Sequence, residues 1–337
     1  MDIDIILEAD LTAPQIQELG LLAEQYGVRT IWTQNYARAR DAFMTLVPLA
    51  LASTKLRVGV CIVSPYEMHP LKMANAALTL NECAGGRACV AIGGGGEWTG
   101  ILGVDPGRRI SNTREALEIV KSSFQKSMPN YDGKMFKANW FNTDWATDTP
   151  PQVYAGATGP KMLTMAAGVA DGVMMGDVAP EMFDWPMPTL KKALKEQGRE
   201  NDNFRISNFL AWHVKEDREA SLWEARRELI IRAWLAPNWT APYLSPEDVK
   251  WVTANMWPFL TAFRERTGDY KGIPEHISDA LVEGLTMSGD LSDIDRHIER
   301  LRKFEAAGFT EVVLGIQDDP ADSIRMIGEK VLPAFRS

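Results

Sequence analysis

Thiols and imidazoles are scarce in this 337-residue chain, which has three cysteines (Cys61, Cys83, Cys89) and four histidines (His69, His213, His276, His297). The cysteines have neither the spacing of a metal site nor the density of a secreted disulfide scaffold, so reduced thiols in a cytoplasm are expected. No His, Asp or Glu cluster has metal-ligand spacing. No Gly-x-Ser-x-Gly elbow is present, nor the Gly-Lys-Ser/Thr ending of a phosphate loop. Positive charge is in deficit: 36 Lys and Arg face 45 Asp and Glu, a net charge of −9. Nucleic acid, which needs a basic face, is therefore not an expected partner. No apolar run approaches the roughly 18 residues of a membrane span. The N-terminal MDIDIILEAD lacks the basic region of a signal peptide. A soluble, cytoplasmic protein is expected.

The 45% of hydrophobic residues can bury a substantial core. Strand-like and helix-like segments alternate throughout. Leu56–Val63 and Ala88–Ile92 are short apolar runs without alternation, as parallel strands covered on both faces should be. Others are read at Ile3–Glu8, Thr30–Trp32, Gln152–Tyr154, Gly172–Met175, Phe204–Val214 and Glu311–Leu314. Helices are read at Pro14–Tyr26, Ala42–Ala52, His69–Ala84, Asn112–Gln125, Pro160–Ala170, Met182–Gln197, Ile294–Ala307 and Ala321–Phe335. About eight strands, each followed by a helix, make an α/β chain of the (β/α)8 TIM-barrel type. A hairpin insertion is expected at about 128–149, around Tyr131-Asp132-Gly133. A tryptophan-rich helical excursion over one barrel face is expected at about 218–288, because so long a loop without structure is unusual. Both leave one domain over 1–337.

The chemistry is expected where the strands end, at the C-terminal mouth of such a barrel. Gly93, Gly94, Gly95 and Gly96 follow the strand ending at Ile92 and allow backbone to approach a bulky flat ligand. Trp98 stands where a dinucleotide fingerprint needs its third glycine, so the run is not that motif. The next residue, Glu97, is a candidate proton donor; an ordinary flexible turn is the plainer reading. Ala157-Thr158-Gly159-Pro160 joins a strand to a helix and leaves first-turn amides free for an anion, although any capped helix start reads the same way. Asn35 ends the second strand and can hydrogen-bond but cannot act as a base. His69 either lines the site or caps the helix that follows it.

These residues together resemble the bacterial luciferase-like superfamily, most closely its deazaflavin branch of methylenetetrahydromethanopterin reductase-like members. The segments carrying the resemblance are VGVCIVSPY…HP…ALTLNECAGGRACVAIGGGG, VYAGATGPKMLTMAAGVADG and MSGDLSDIDRHIERLRKFEAAGFTEVVLG. It implies a barrel holding a flavin or deazaflavin at its mouth, with a bulge and a non-prolyl cis peptide in the third strand behind the ring. That bond would be Cys61–Ile62, with Val63 and Ser64 also near the ring. Gly93–Gly96 would approach the ring or its side chain, and Gly156, Ala157, Thr158 and Gly159 would take the phosphate of the cofactor tail. A homodimer or higher homo-oligomer is implied too. Many relatives end the second strand with Asp-His, and some use the histidine as a base; here the pair is Gln34-Asn35. The departure tells against alcohol dehydrogenation more than against reduction of an activated C=N or C=C bond. The leading expectation is an oxidoreductase moving a hydride between coenzyme F420 and a small organic substrate. The alternatives are an FMN-dependent monooxygenase using molecular oxygen and a non-catalytic flavin-binding homologue.

Overall fold

The computed structural model describes residues 1–36 and 39–336, with Glu97 described by its backbone alone. Eight parallel strands close on themselves: β1 (Asp2–Leu7), β2 (Thr30–Gln34), β3 (Arg57–Val63), β4 (Ala88–Ile92), β5 (Gln152–Gly156), β6 (Gly172–Gly176), β7 (Arg205–Trp212) and β8 (Glu311–Gly315). Neighbours in sequence are neighbours in the ring, and β8 pairs with β1 to shut it. This is the (β/α)8 barrel expected from the apolar runs. Every residue of β2, β4 and β8 is buried, because each strand has helices on one side and the barrel interior on the other.

The two sides hold different residues. Ile5, Ile31, Val60, Val90 and Leu314 face the helices in one large apolar cluster. Ile6, Trp32, Cys61, Ala91, Tyr154, Met174 and Val313 fill the interior. Trp32 and Tyr154 meet edge to face with centroids 5.3 Å apart. Opposite Trp32 in the β2–β3 register is Gly59, where a Cβ would come within 2.3 Å of the indole; the indole occupies the volume that a side chain there would need. The N-terminal end of the barrel is closed by charge. Arg29 reaches Glu311 at 3.0 Å and Asp4 at 3.4 Å, and Arg205 pairs with Glu311 and Asp2. The C-terminal mouth is left for ligands.

The helices of the repeat are α1 (Ala13–Gln25), α2 (Ala42–Ala52), α3 (Pro70–Cys83), α4 (Gly96–Ile101), α5 (Arg109–Ser122), α6 (Pro160–Val169) and α7 (Pro186–Glu196). The expected hairpin is present as Tyr131–Asp132 antiparallel to Lys137–Ala138. Its tip is fastened by Glu115 of α5, whose carboxylate accepts the amides of Lys134, Met135 and Phe136 at 2.9–3.0 Å. The excursion carries α8 (Arg218–Arg227), α9 (Pro237–Thr240), α10 (Pro246–Ala254), α11 (Met256–Glu265) and α12 (Glu275–Leu285). Thr286–Met287 then pairs with the end of β7. α13 (Ile294–Ala307) and α14 (Pro320–Met326) complete the chain, and a π turn at Ile327–Val331 and a 3-10 turn at Leu332–Phe335 replace the regular helix expected to run to Phe335. Pro333, without an amide hydrogen, cannot continue an α-helical ladder there. α7 begins at Pro186 and not at Met182, with the proline in the first turn, where its missing amide hydrogen costs nothing.

Candidate active site

A cavity of about 370 Å³ opens at the C-terminal ends of the strands. Its bed is made by β3. The β3–β4 register shifts between Val60 and Val63, and the Cys61–Ile62 peptide is cis. Ile62 lines the cavity and is 37% exposed, whereas the rest of the strand after the half-buried Arg57 is buried. Two glycines make room for it: a Cβ on Gly93 would stand 2.6 Å from Ile62 Cγ2, and one on Gly156 would stand 2.8 Å from its Cδ1. The result is an apolar platform flanked by bare backbone, the surface a flat ring needs.

Polar groups around the platform are fixed by their neighbours. Asn35 Nδ2 donates to Ile62 O at 3.2 Å and to Glu67 Oε1 at 2.8 Å. Both partners are acceptors, so the amide nitrogen must face them and the oxygen faces away. The Ser64 amide donates to the same Glu67 oxygen at 2.7 Å, and Trp98 Nε1 donates to Asn35 O at 3.2 Å. Gln34 Oε1 and Ser64 Oγ, both on residues of the cavity wall, are buried without a hydrogen-bond partner. Burial pushes the Cys61 thiol up to about 12, so it is neutral beneath the platform, 3.1 Å from Met174 Sδ. On the β6 side Asp177 pairs with Arg232 at 3.0 Å, and its other oxygen accepts the Ala233 amide at 3.0 Å. Burial raises the Asp177 carboxyl above its ordinary range, while Arg232 and the Ala233 amide pull it back.

A second cavity, of about 240 Å³, shares Tyr36 and Ile231 with the first and is walled by Glu8, Asp10, Glu228, Arg264 and Arg266. Glu8, just past the end of β1, is pushed from 4.5 up to about 7 by burial and by Glu228 and Asp10 beside it. It holds a proton for a large fraction of the time at neutral pH. Among the described residues no group of three or more His, Cys, Asp or Glu is placed to hold a metal ion.

The model of the luciferase-like monooxygenase family matches residues 5–311. The chain belongs to this family. It is 30% identical over 319 residues to 5,10-methylenetetrahydromethanopterin reductase of Archaeoglobus fulgidus, covering 94% of each chain. It is 22% identical to F420-dependent glucose-6-phosphate dehydrogenase of Nakamurella multipartita, over 96% of this chain and 93% of the other. Among solved structures, coenzyme F420 dependent tetrahydromethanopterin reductase from Methanopyrus kandleri superposes with a TM-score of 0.84 at 22% identity, covering 99% of each chain.

Within this luciferase-like barrel the residues singled out from sequence separate into two sets. Asn35, Cys61, Ile62, Ser64, Gly93, Gly94, Gly95, Gly96, Gly156, Ala157 and Thr158 line the first cavity. Val63 instead turns toward the helices, as alternation along a strand requires of the residue after Ile62. Gly159 stands beyond the wall as the N-cap of α6, which has no side-chain cap of its own. His69 does not line the cavity: it caps α3, accepting the Leu71 amide on Nδ1 at 3.2 Å, with its ring edge on Phe136. Glu97 lies in the first turn of α4, and its side chain is outside the described residues. The sequence reading missed Trp98, Asp177, Phe209 and Arg232 on the wall of the first cavity and Glu8 in the second. For Glu8 and Asp177 a signal existed, an acid just past a barrel strand. For Arg232, delivered by the excursion, there was none.

Proposed function

We propose that this chain is an oxidoreductase that moves a hydride between the deazaflavin coenzyme F420 and a small organic substrate, reducing an activated C=N or C=C bond. The observation that supports this most is the Ile62 platform between Gly93 and Gly156, with Glu8, whose carboxyl is raised by burial, in the adjoining cavity. The residues fit such a cofactor: the platform is apolar and accessible, and the orphaned Gln34 Oε1 and Ser64 Oγ at its edge ask for polar partners. Two of the proteins named above, the glucose-6-phosphate dehydrogenase and the tetrahydromethanopterin reductase from Methanopyrus kandleri, are F420-dependent and support the same choice. The bound deazaflavin would supply two electrons as a hydride from its central ring.

The chain's own contribution is placement and a proton. Ile62 would hold one ring face and exclude water from it, which would leave the other face for substrate; such placement, and not a protein base, is what hydride transfer requires. Asn35, braced by Glu67 and Trp98, keeps the bulge in register and turns its amide oxygen away from the brace. The first-turn amides of α6, with Thr158 and Gly159, are suited to the phosphate of the tail. Glu8, and Glu97 as a second candidate, would give a proton to the reduced substrate, since a hydride added to C=N or C=C needs one proton to complete it. Small-molecule chemistry fits the homologues; no helix among the described residues is long and apolar enough to cross a membrane.

Titration of the purified protein with coenzyme F420 and with FMN, followed by absorbance and fluorescence, tests this reading. Saturable deazaflavin binding, followed by substrate-dependent oxidation of the reduced form, is expected. Retention of FMN with no affinity for the deazaflavin would favour a monooxygenase. Binding without oxidation by any C=N or C=C substrate would favour the non-catalytic homologue.

A further inference from the structure

We infer that the rim of the mouth between α5 and α6 holds the acidic tail of the cofactor, with Arg109 and Lys161 as its cations, a role that rests on the deazaflavin proposed above. Coenzyme F420 differs from FMN beyond its phosphate, where a run of glutamyl residues adds one carboxylate each. Such a tail is held by positive charge outside the cavity, beside the amides suited to the phosphate. β4 and β5 are neighbours in the barrel, and the helices that return from barrel strands begin at the mouth. Arg109 opens α5, and Lys161 stands in the first turn of α6. The stretches that follow the two strands lie together: a Cβ on Gly93 would stand 3.7 Å from Gly156 O. Arg109 packs on the same loop, with its Cδ 3.7 Å from the place of a Cβ on Gly94. Gly94 and Thr158 line the cavity, so Arg109 borders its edge and Lys161 follows Thr158 by three residues.

Both side chains are exposed, and neither makes a hydrogen bond or ion pair among the described residues. Acids are sparse around them. Residues 156–170 contain none, and residues 93–113 contain only Glu97 and Asp105; Asp105 Oδ1 accepts the Gly107 amide at 2.9 Å. On the far side of the ring, past β1, the second cavity holds Glu8, Asp10 and Glu228, and its Arg266 is engaged by Asp318 at 3.1 Å. A chain of net charge −9 thus turns a cation-rich edge to one side of its mouth and an acid-rich edge to the other. A polyanionic tail is drawn to the first and repelled by the second, which sets the direction in which the cofactor lies. The place of this edge, beside the phosphate amides, separates it from an ordinary solvated face. Exposed ion pairs are weak, about two- to fivefold in affinity each at most, so the edge acts through several carboxylates at once and through salt-sensitive attraction.

The test is a fluorescence titration with coenzyme F420 carrying no glutamyl residue, two, or six, and with the tail-less ring 8-hydroxy-5-deazariboflavin. The proteins are the unaltered chain, the double variant Arg109→Gln with Lys161→Gln, and Arg302→Gln with Lys303→Gln, which removes the same charge from exposed positions on α13. Each is checked for a cooperative thermal melt. At about 20 mM salt the unaltered protein is expected to bind the hexaglutamyl form about fivefold or more tighter than the form without glutamate, with the diglutamyl form between. At about 500 mM salt the gradient should vanish. The Arg109/Lys161 variant should reduce it below about twofold at low salt while leaving the tail-less ring unaffected, and the α13 variant should keep it. Affinity independent of glutamate number in the unaltered protein would overturn the inference, whether or not the variants fold. So would a gradient that survives in the Arg109/Lys161 variant, including one kept while every phosphate-bearing form weakens by the same factor, or one lost equally in the α13 variant. If all forms of coenzyme F420 bind alike, the tail site falls and the deazaflavin reading stands. If FMN binds and no form of coenzyme F420 does, both fall.

Discussion

Replacing Glu8 by Gln removes a titration without removing volume or polarity, and the structure sets both the sign and the size of the outcome. The carboxyl is raised from 4.5 to about 7 because burial, Glu228 and Asp10 all disfavour its charge. The folded protein therefore holds this proton more tightly than the unfolded chain does. The contribution to stability is intact below the unfolded value and is lost as pH rises through about 7. At 1.36 kcal/mol per pKa unit the full loss is about 3 kcal/mol, and about 2 after discounting for the solvent that reaches a half-buried group. Urea unfolding of the unaltered protein and of Glu8→Gln at pH 5 and at pH 8 measures it. The stability of the variant relative to the parent should rise by about 2–3 kcal/mol between the two pH values. Glu228→Gln should move the transition to lower pH, since it removes the second-largest cause of the shift. A difference between Glu8→Gln and the parent that is constant with pH would show that Glu8 is not the raised group. Its part as proton donor would then fall as well.

Other sites give further tests. Gly93→Ala should drive its Cβ against Ile62, 2.6 Å away, costing about 1–3 kcal/mol and weakening deazaflavin binding. Gly93→Ala with Ile62→Val should recover part of both in the same melting and titration experiments. Arg29→Met should leave Asp4 and Glu311, both fully buried, without their shared cation and cost about 3–5 kcal/mol in urea unfolding. Glu97→Gln should slow turnover while leaving the dissociation constant of the cofactor nearly unchanged; unaltered turnover would remove Glu97 from the mechanism.

The barrel was legible because its strands are apolar on both faces. Leu56–Val63 and Ala88–Ile92 need no partner information to be recognised as buried parallel strands. Their C-terminal ends were less legible, since β2 continues through Gln34 and β5 through Gly156. Polar residues and glycine there line the cavity and do not follow strand preference. α4 was hidden for the same reason: its first residue is Gly96, at a φ of +47°, following Gly95 at +104°, and glycine argues locally against a helix. Residues on strand ends could be placed from sequence, so Asn35, Ile62 and Gly93 were found. Arg232 could not, because its position depends on how the excursion folds back over the mouth. His69 had two readings, and only the position of the Leu71 amide chooses between them.

The central claim is that a planar redox ring lies on Ile62, and equilibrium titration of Ile62→Asp with coenzyme F420 tests it most directly. The carboxylate would stand where the apolar ring face is proposed to lie, at a side chain already 37% exposed. A well-folded Ile62→Asp protein with affinity reduced by about a hundredfold or more relative to the parent is the predicted result. Affinity equal to that of the parent would place the ring elsewhere and contradict the account.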